Sequence, residues 1–124
     1  MVDESHREMT EDFARLQTII HCNAVNKGFW ERNGKTQDPF DPDVVAGKLA
    51  LIHSEVSEAL ESIRNGNPES DHLKGVDGFS EEAGDAIVRI LDLCEARGIN
   101  LIDVILKKVD YNLRREHMHG GKTL

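Results

Sequence analysis

The sequence has 124 residues, enough for one domain, and 15 Lys plus Arg against 23 Asp plus Glu give a formal net charge of −8. Aromatics at 5% argue against a β-sandwich or barrel, and the acidic balance argues against nucleic-acid binding. No apolar run reaches the ~18 residues that a membrane span needs. The acidic start Met1-Val2-Asp3-Glu4-Ser5-His6 has no apolar stretch behind it, so no signal peptide is visible. Two cysteines, Cys22 and Cys94, make no disulfide framework, and both fall on apolar stripes, as packing residues do. These features together predict a reduced, cytoplasmic protein. Its charge is uneven: residues 1–100 hold 10 bases and 20 acids, whereas residues 101–124 hold 5 bases and 3 acids.

Four segments read as helices. The first is expected from about Thr10, as N-cap, to Asn26, with Phe13, Leu16, Ile20 and Ala24 at helical spacing. The second runs from about Asp41 to Asn65. Asp41-Pro42 is a cap followed by proline at the first helical position, and Asn65-Gly66-Asn67-Pro68 ends the segment. Its Val45, Leu49, Ile52, Val56, Leu60 and Ile63 form one stripe, expected to be core. A loop from about Gly66 to Phe79 follows, long enough to be functional or mobile. The third helix runs from about Ser80, as cap, to Arg97, stopped by Gly98; its apolar residues cover more than one side. The fourth runs from Asn100, with Asp103 as a variant capping box, to about Glu116, before His119-Gly120-Gly121. The expectation is a single all-α domain over residues 1–124. It is four-helix-bundle-like, with its core at about 10–116 and flexible ends, and at this size oligomerisation would complete it.

The informative residues are two pairs of acids at i, i+3: Glu55 and Glu58 on the second helix, Glu82 and Asp85 on the third. Three residues turn a helix by about 300°, so each pair projects from one side. Two facing pairs would put four carboxylates around a small volume, where they repel unless cations lie between them. Oxygen-only ligands suit Mg²⁺ or Mn²⁺, and that setting serves phosphoryl or nucleotidyl transfer. Acids at this spacing also arise by chance on solvent faces; Glu58 with Glu61 fits as well. Arg89 and Asp92 share a side with Glu82 and Asp85.

Glu55-Val56-Ser57-Glu58-Ala59-Leu60-Glu61, followed by Glu81-Glu82-Ala83-Gly84-Asp85-Ala86-Ile87, resembles the signature of the MazG-type all-α nucleotide pyrophosphohydrolases. That signature is ExxE on one helix and EExxD on the next. Lys108-Val109-Asp110-Tyr111-Asn112-Leu113-Arg114-Arg115 is similar to the family's K-x-x-x-N-x-x-R segment, and His119-Gly120-Gly121-Lys122 is similar to the tail of its small members. The resemblance covers residues 45–122 and implies a MazG-type fold, usually dimeric or a dimer of dimers. It implies Mg²⁺ (or Mn²⁺) held by Glu55, Glu58, Glu82 and Asp85. It also implies hydrolysis of (deoxy)nucleoside triphosphates to monophosphate and pyrophosphate, with Glu55 or Glu58 as general base. Lys108, Asn112 and Arg115 would contact substrate, and their steps of 4 and 3 put them on one side of the fourth helix.

Trp30 could stack on a nucleobase or anchor a core or interface. Arg89 could reach a phosphate or pair with Asp85 or Asp92. Lys122 could reach a phosphate from the tail, although Gly121-Lys122-Thr123 is no P-loop, because Glu116 stands where that motif needs glycine. The ExxH strings at Glu69–His72 and Glu116–His119 lie in a loop and at a helix end, which argues against a di-iron bundle. Two other functions fit the sequence: a phosphoribosyl-ATP pyrophosphohydrolase-like activity, and a non-catalytic helical module that binds a partner.

Overall fold

The structure is a computed structural model, and it describes residues 4–115. Four helices, α1 (Glu4–Asn26), α2 (Pro42–Arg64), α3 (Gly78–Ala96) and α4 (Leu101–Leu113), bear out the helical fold class. One small hairpin, β1 (Glu31–Arg32) and β2 (Lys35–Thr36), is added to them. No helix among the described residues is long and apolar enough to cross a membrane. The chain divides into two compact units. One is residues 17–99; the other is made by the two chain ends.

Within residues 17–99, α2 and α3 pack against each other. The Asp41 carboxylate accepts from the Asp43 N–H at 2.8 Å, and Pro42 opens α2, as the sequence predicts. At the far end Gly66 turns the chain at φ 83°, and Asn67 N–H donates to the Ser62 carbonyl. The N-cap of α3 is Asp77, not Ser80; its carboxylate accepts from Ser80 N–H at 2.7 Å, so Ser80 lies inside the first turn. A Cβ at Gly78 would sit 2.6 Å from Ser62 Oγ and 3.1 Å from Ser62 Cβ, so any other residue there would force Ser62 to move. At the end of α3, Ile99 N–H reaches the Cys94 carbonyl across Gly98, whose φ is 72°.

The connection between α2 and α3 is held in place. Ser70 Oγ donates to Glu81, His72 Nδ1 lies 2.8 Å from Glu81, and Gly78 N–H donates to the Pro68 carbonyl. The hairpin turns through Asn33 and Gly34, at φ 54° and 76°, the type I′ pattern whose twist matches paired strands. The core of residues 17–99 is small. Ala24, Trp30 and Leu93 are buried, with Val44, Ile52 and Ala96 packed against them.

Two expectations about the helices are corrected. Helix α1 begins at Glu4, a turn and a half before Thr10. Thr10 Oγ1 donates back to the Arg7 carbonyl, and the Glu4–Arg7 pair supports the added turn. In the α2 stripe only Val45 and Ile52 are half-buried; Leu49, Val56, Leu60 and Ile63 are exposed, and the fully buried residue is Glu55. Cys22, expected on a packed stripe, is exposed, whereas Cys94 is partly buried and burial raises its thiol. In the unit of the chain ends, Asn100 caps α4 without a side-chain bond to the backbone; its Nδ2 donates instead to Asp103 at 3.1 Å.

Candidate metal centre and cleft

Midway along α2, Glu55 turns toward α3 and is 7% exposed. Glu82 and Asp85 come from the first two turns of α3. One oxygen from each of Glu55, Glu82 and Asp85 lies within 4.8 Å of the others. Glu58, one turn along α2, is exposed and lies outside that set of three, though near enough for its charge to help raise Glu82. The structure therefore groups three of the four expected carboxylates, Glu55, Glu82 and Asp85, and leaves Glu58 outside the group.

The electrostatics follow from this crowding. A hydrogen bond to Glu55, then burial, then Glu58 push Glu82 up to about 8. Its Oε2 is buried and has no hydrogen-bond partner. Burial works to raise Glu55, but the hydrogen bonds it accepts from the Glu82 carboxyl and from Arg89 outweigh it and hold that carboxyl below its ordinary value. Partial burial, then the Glu55 and Glu81 charges, raise Asp85. Two or more carboxylates sharing one site cannot all ionise without a compensating charge, and here a proton on Glu82 supplies it. A divalent cation would supply it equally well. The donors are all oxygen, and one oxygen of Glu82 is buried without a hydrogen-bond partner among the described residues, so the residues fit a hard divalent cation such as Mg²⁺ or Mn²⁺.

Arg89 Nε donates to Glu55 Oε1 at 2.9 Å. The expected alternatives, Asp85 and Asp92, are not its partners, because Glu55 lies opposite Arg89 across the helix pair. A cleft of about 420 Å³ opens beside the acids. Glu55, Asp85 and Arg89 line one part of it, Lys27 and Lys48 another, and Ile20, Ala24 and Val88 give it an apolar wall. Lys48 Nζ donates to the Phe29 carbonyl at 2.7 Å and lies 4.2 Å above the Trp30 ring. Burial holds the Lys48 ammonium below its ordinary range, against the pull of Asp92.

Trp30 is not an open stacking platform. It is 3% exposed, its Nε1 donates to both Asp92 oxygens at 2.9 and 3.1 Å, and Lys48 covers one face. The same Asp92 Oδ1 lies 2.7 Å from His21 Nδ1, and the His21 ring meets Trp30 edge-on. A lone carboxylate placed so deep needs partners, which is why the indole turns inward. The aromatic left open at the cleft is Phe29, 64% exposed. Sequence reasoning missed Lys27, Lys48 and His21. None belongs to a motif; their only signal is helical phase, which puts Lys48 two turns before Glu55 on one side of α2.

Lys108, Asn112 and Arg115 belong to the unit of the chain ends and are exposed there. Lys108 Nζ lies 4.7 Å from the Tyr111 ring centroid and the Arg115 guanidinium 5.8 Å from it, so both cations pack near one aromatic ring. Lys122 and the His117–His119 segment lie outside the described residues. Of the first ExxH string, His72 pairs with Glu81 and Glu69 bridges to Asp77, so the two do not converge. Comparison with protein-family models, curated proteins and solved structures gave no significant match.

Proposed function

We propose that the chain is a MazG-type, Mg²⁺-dependent pyrophosphohydrolase of (deoxy)nucleoside triphosphates, yielding monophosphate and pyrophosphate, and acting in the cytoplasm as a homo-oligomer. The observation that carries the reading is the buried, partnerless Glu82 oxygen in a three-carboxylate group beside a cleft that also holds cations and an apolar wall. Glu55, Glu82 and Asp85 would hold the ion, with Glu58 at their edge. When bound, the ion neutralises phosphate charge and makes phosphorus a better electrophile. Arg89 fixes the Glu55 carboxylate and keeps it ionised. Lys27 and Lys48 offset the remaining phosphate charge, and Ile20, Ala24 and Val88 face the less polar part of the nucleotide. Of the two candidate bases, Glu55 is held by Arg89, whereas Glu58 is exposed and has no arginine partner among the described residues; Glu58 would take the proton from water as the water oxygen attacks phosphorus and the P–O–P bond breaks. Lys108, Asn112 and Arg115 are assigned to substrate on the motif alone. The exposed Leu49, Val56, Leu60 and Ile63 of α2 support self-association.

The test is pyrophosphate release from the eight common NTPs and dNTPs, with Mg²⁺ and then with EDTA. Metal-dependent release, lost in Glu58→Gln and in Asp85→Asn while both variants stay folded, is expected. Wild-type turnover in either variant would remove the metal assignment. No release from any nucleotide, together with no Mn²⁺-induced thermal shift, would favour a non-catalytic helical module.

A further inference from the structure

A second cleft, of about 710 Å³, lies between the hairpin and the first turns of α2. Three cations line it, Arg32 from β1, Lys35 from β2 and Lys48 from α2, against one acid, Asp43. That balance is the reverse of residues 1–100, where acids outnumber bases two to one. Arg32 and Lys35 are also direct cross-strand partners in the ladder. Like charges directly opposite each other destabilise a hairpin, and this hairpin has only two residue pairs to hold it. The neighbouring acid Glu31 accepts from Thr36 Oγ1 at 2.9 Å and forms no ion pair with either cation. Neither Arg32 nor Lys35 makes an ion pair among the described residues. The pair is nevertheless held in register by the Asn33-Gly34 turn and by the Gln37 N–H, which donates to the Trp30 carbonyl at 2.7 Å. On the opposite wall Gly47 leaves open space where a side chain would stand.

We infer that this hairpin cleft is an anion site for a phosphate group, with Arg32 and Lys35 gripping the phosphate and Lys48 facing it from α2. A phosphate between the two opposed cations turns their repulsion into paired charge-assisted hydrogen bonds. Phe29 and Lys48 line both this cleft and the one beside the acids, so the two clefts adjoin. The phosphate could therefore be the far end of a nucleotide seated at the acids, or a separate phosphate compound. The site itself does not rest on the hydrolase reading; only the first of these two sources does.

The test uses the whole chain and inorganic pyrophosphate in EDTA, so that no metal bridges the anion to the acid cluster. Calorimetry is expected to show binding that weakens with added salt. The Arg32→Ala/Lys35→Ala double variant should bind about tenfold or more weakly, the size of a lost charge-assisted contact. Gly47→Leu fills the cleft without touching a charge, suits a helix interior better than glycine, and should weaken binding equally. Both variants should keep the Mn²⁺-induced thermal shift of the acid cluster, and Arg32→Ala should not lower the melting temperature without anion. Pyrophosphate binding that is absent from the wild type, or that survives both variants, overturns the site whatever the hydrolase assays give. The sources separate in kinetics. A rise in KM for a nucleoside triphosphate in both variants, with the Mn²⁺ thermal shift kept, assigns the phosphate to the substrate. A pyrophosphate effect on triphosphate turnover that both variants abolish, with KM unchanged, assigns it to a free effector.

Discussion

The crowding of Glu55, Glu58 and Glu82 makes Glu82→Gln the most informative single change. In the metal-free protein Glu82 holds its proton up to about pH 8, against 4.5 for an ordinary glutamate. Between those values the folded chain binds a proton that the unfolded chain has released, so stability falls as pH rises through the window. The full shift would correspond to ~5 kcal/mol. Water reaching the exposed Glu58 and Asp85 screens the cluster, and an effect of ~1–2 kcal/mol is the working value. Glutamine is neutral at every pH and can donate the same hydrogen bond to Glu55. The variant should therefore match the wild type near pH 4.5 and melt roughly 5 °C higher at pH 8 in EDTA. Manganese should reverse the order. Cation binding displaces the Glu82 proton, so the wild type should gain ~2.7 kcal/mol at a hundredfold excess over Kd, and more at pH 8 than at pH 6. The variant should gain little. Thermal denaturation across pH 4.5–8, with EDTA and with Mn²⁺, gives both comparisons. Parallel pH curves in EDTA would refute the shared proton, and an undiminished Mn²⁺ shift in the variant would refute Glu82 as a ligand.

Two other substitutions probe single contacts. Trp30→Phe removes the donor to both Asp92 oxygens and leaves a buried carboxylate with one partner less; it should cost ~1–3 kcal/mol in urea unfolding, and an unchanged midpoint would take that bond out of the core. Arg115→Ala should raise KM for a nucleoside triphosphate several-fold while the Mn²⁺ thermal shift stays at the wild-type size. An unchanged KM would remove Arg115 from substrate binding.

The parts of the fold legible in the sequence are those set by local backbone chemistry. Asp41-Pro42 starts α2, and Gly66 and Gly98 end α2 and α3, because each meets a need of the helix terminus itself. Asp77 was equally local, with Ser80 three residues on, but two acceptable caps stood three positions apart and a carboxylate is the stronger acceptor. Asn33-Gly34 is a plain hairpin signal, masked by the shortness of the strands on either side. The grouping of Glu55, Glu82 and Asp85 could be anticipated because spacing fixes a helix face. The Glu55–Arg89 bond and the Asp92–Trp30–His21 contacts could not, since they join residues 34 or more positions apart. The same limit applies to Lys27 and Lys48, which enter the cleft through packing rather than through a motif.

The α2 stripe shows how periodicity can find a face and misassign its partner. Two stripes run along the helix. Lys48, Ile52, Glu55, Ala59 and Ser62 are buried or half-buried, and this face is small, polar or acidic. Leu49, Val56, Leu60 and Ile63 are the more apolar set, yet each is about half exposed. The inner face is chosen by what the carboxylates need from α3, and the apolar stripe is left over. Covering a leucine fully is worth ~1.5–3 kcal/mol, so four such residues from each of two chains can hold a dimer against the loss of rotational and translational freedom. A twofold contact brings the same residues together from both chains, so Leu60→Glu would put a carboxylate from each partner into one apolar patch. Light scattering after gel filtration should therefore give the wild type at twice 13.9 kDa or a multiple of it, and Leu60→Glu at 13.9 kDa with its helical content intact. A wild type that runs at 13.9 kDa at every concentration would refute the oligomer and leave the stripe as surface awaiting a different partner.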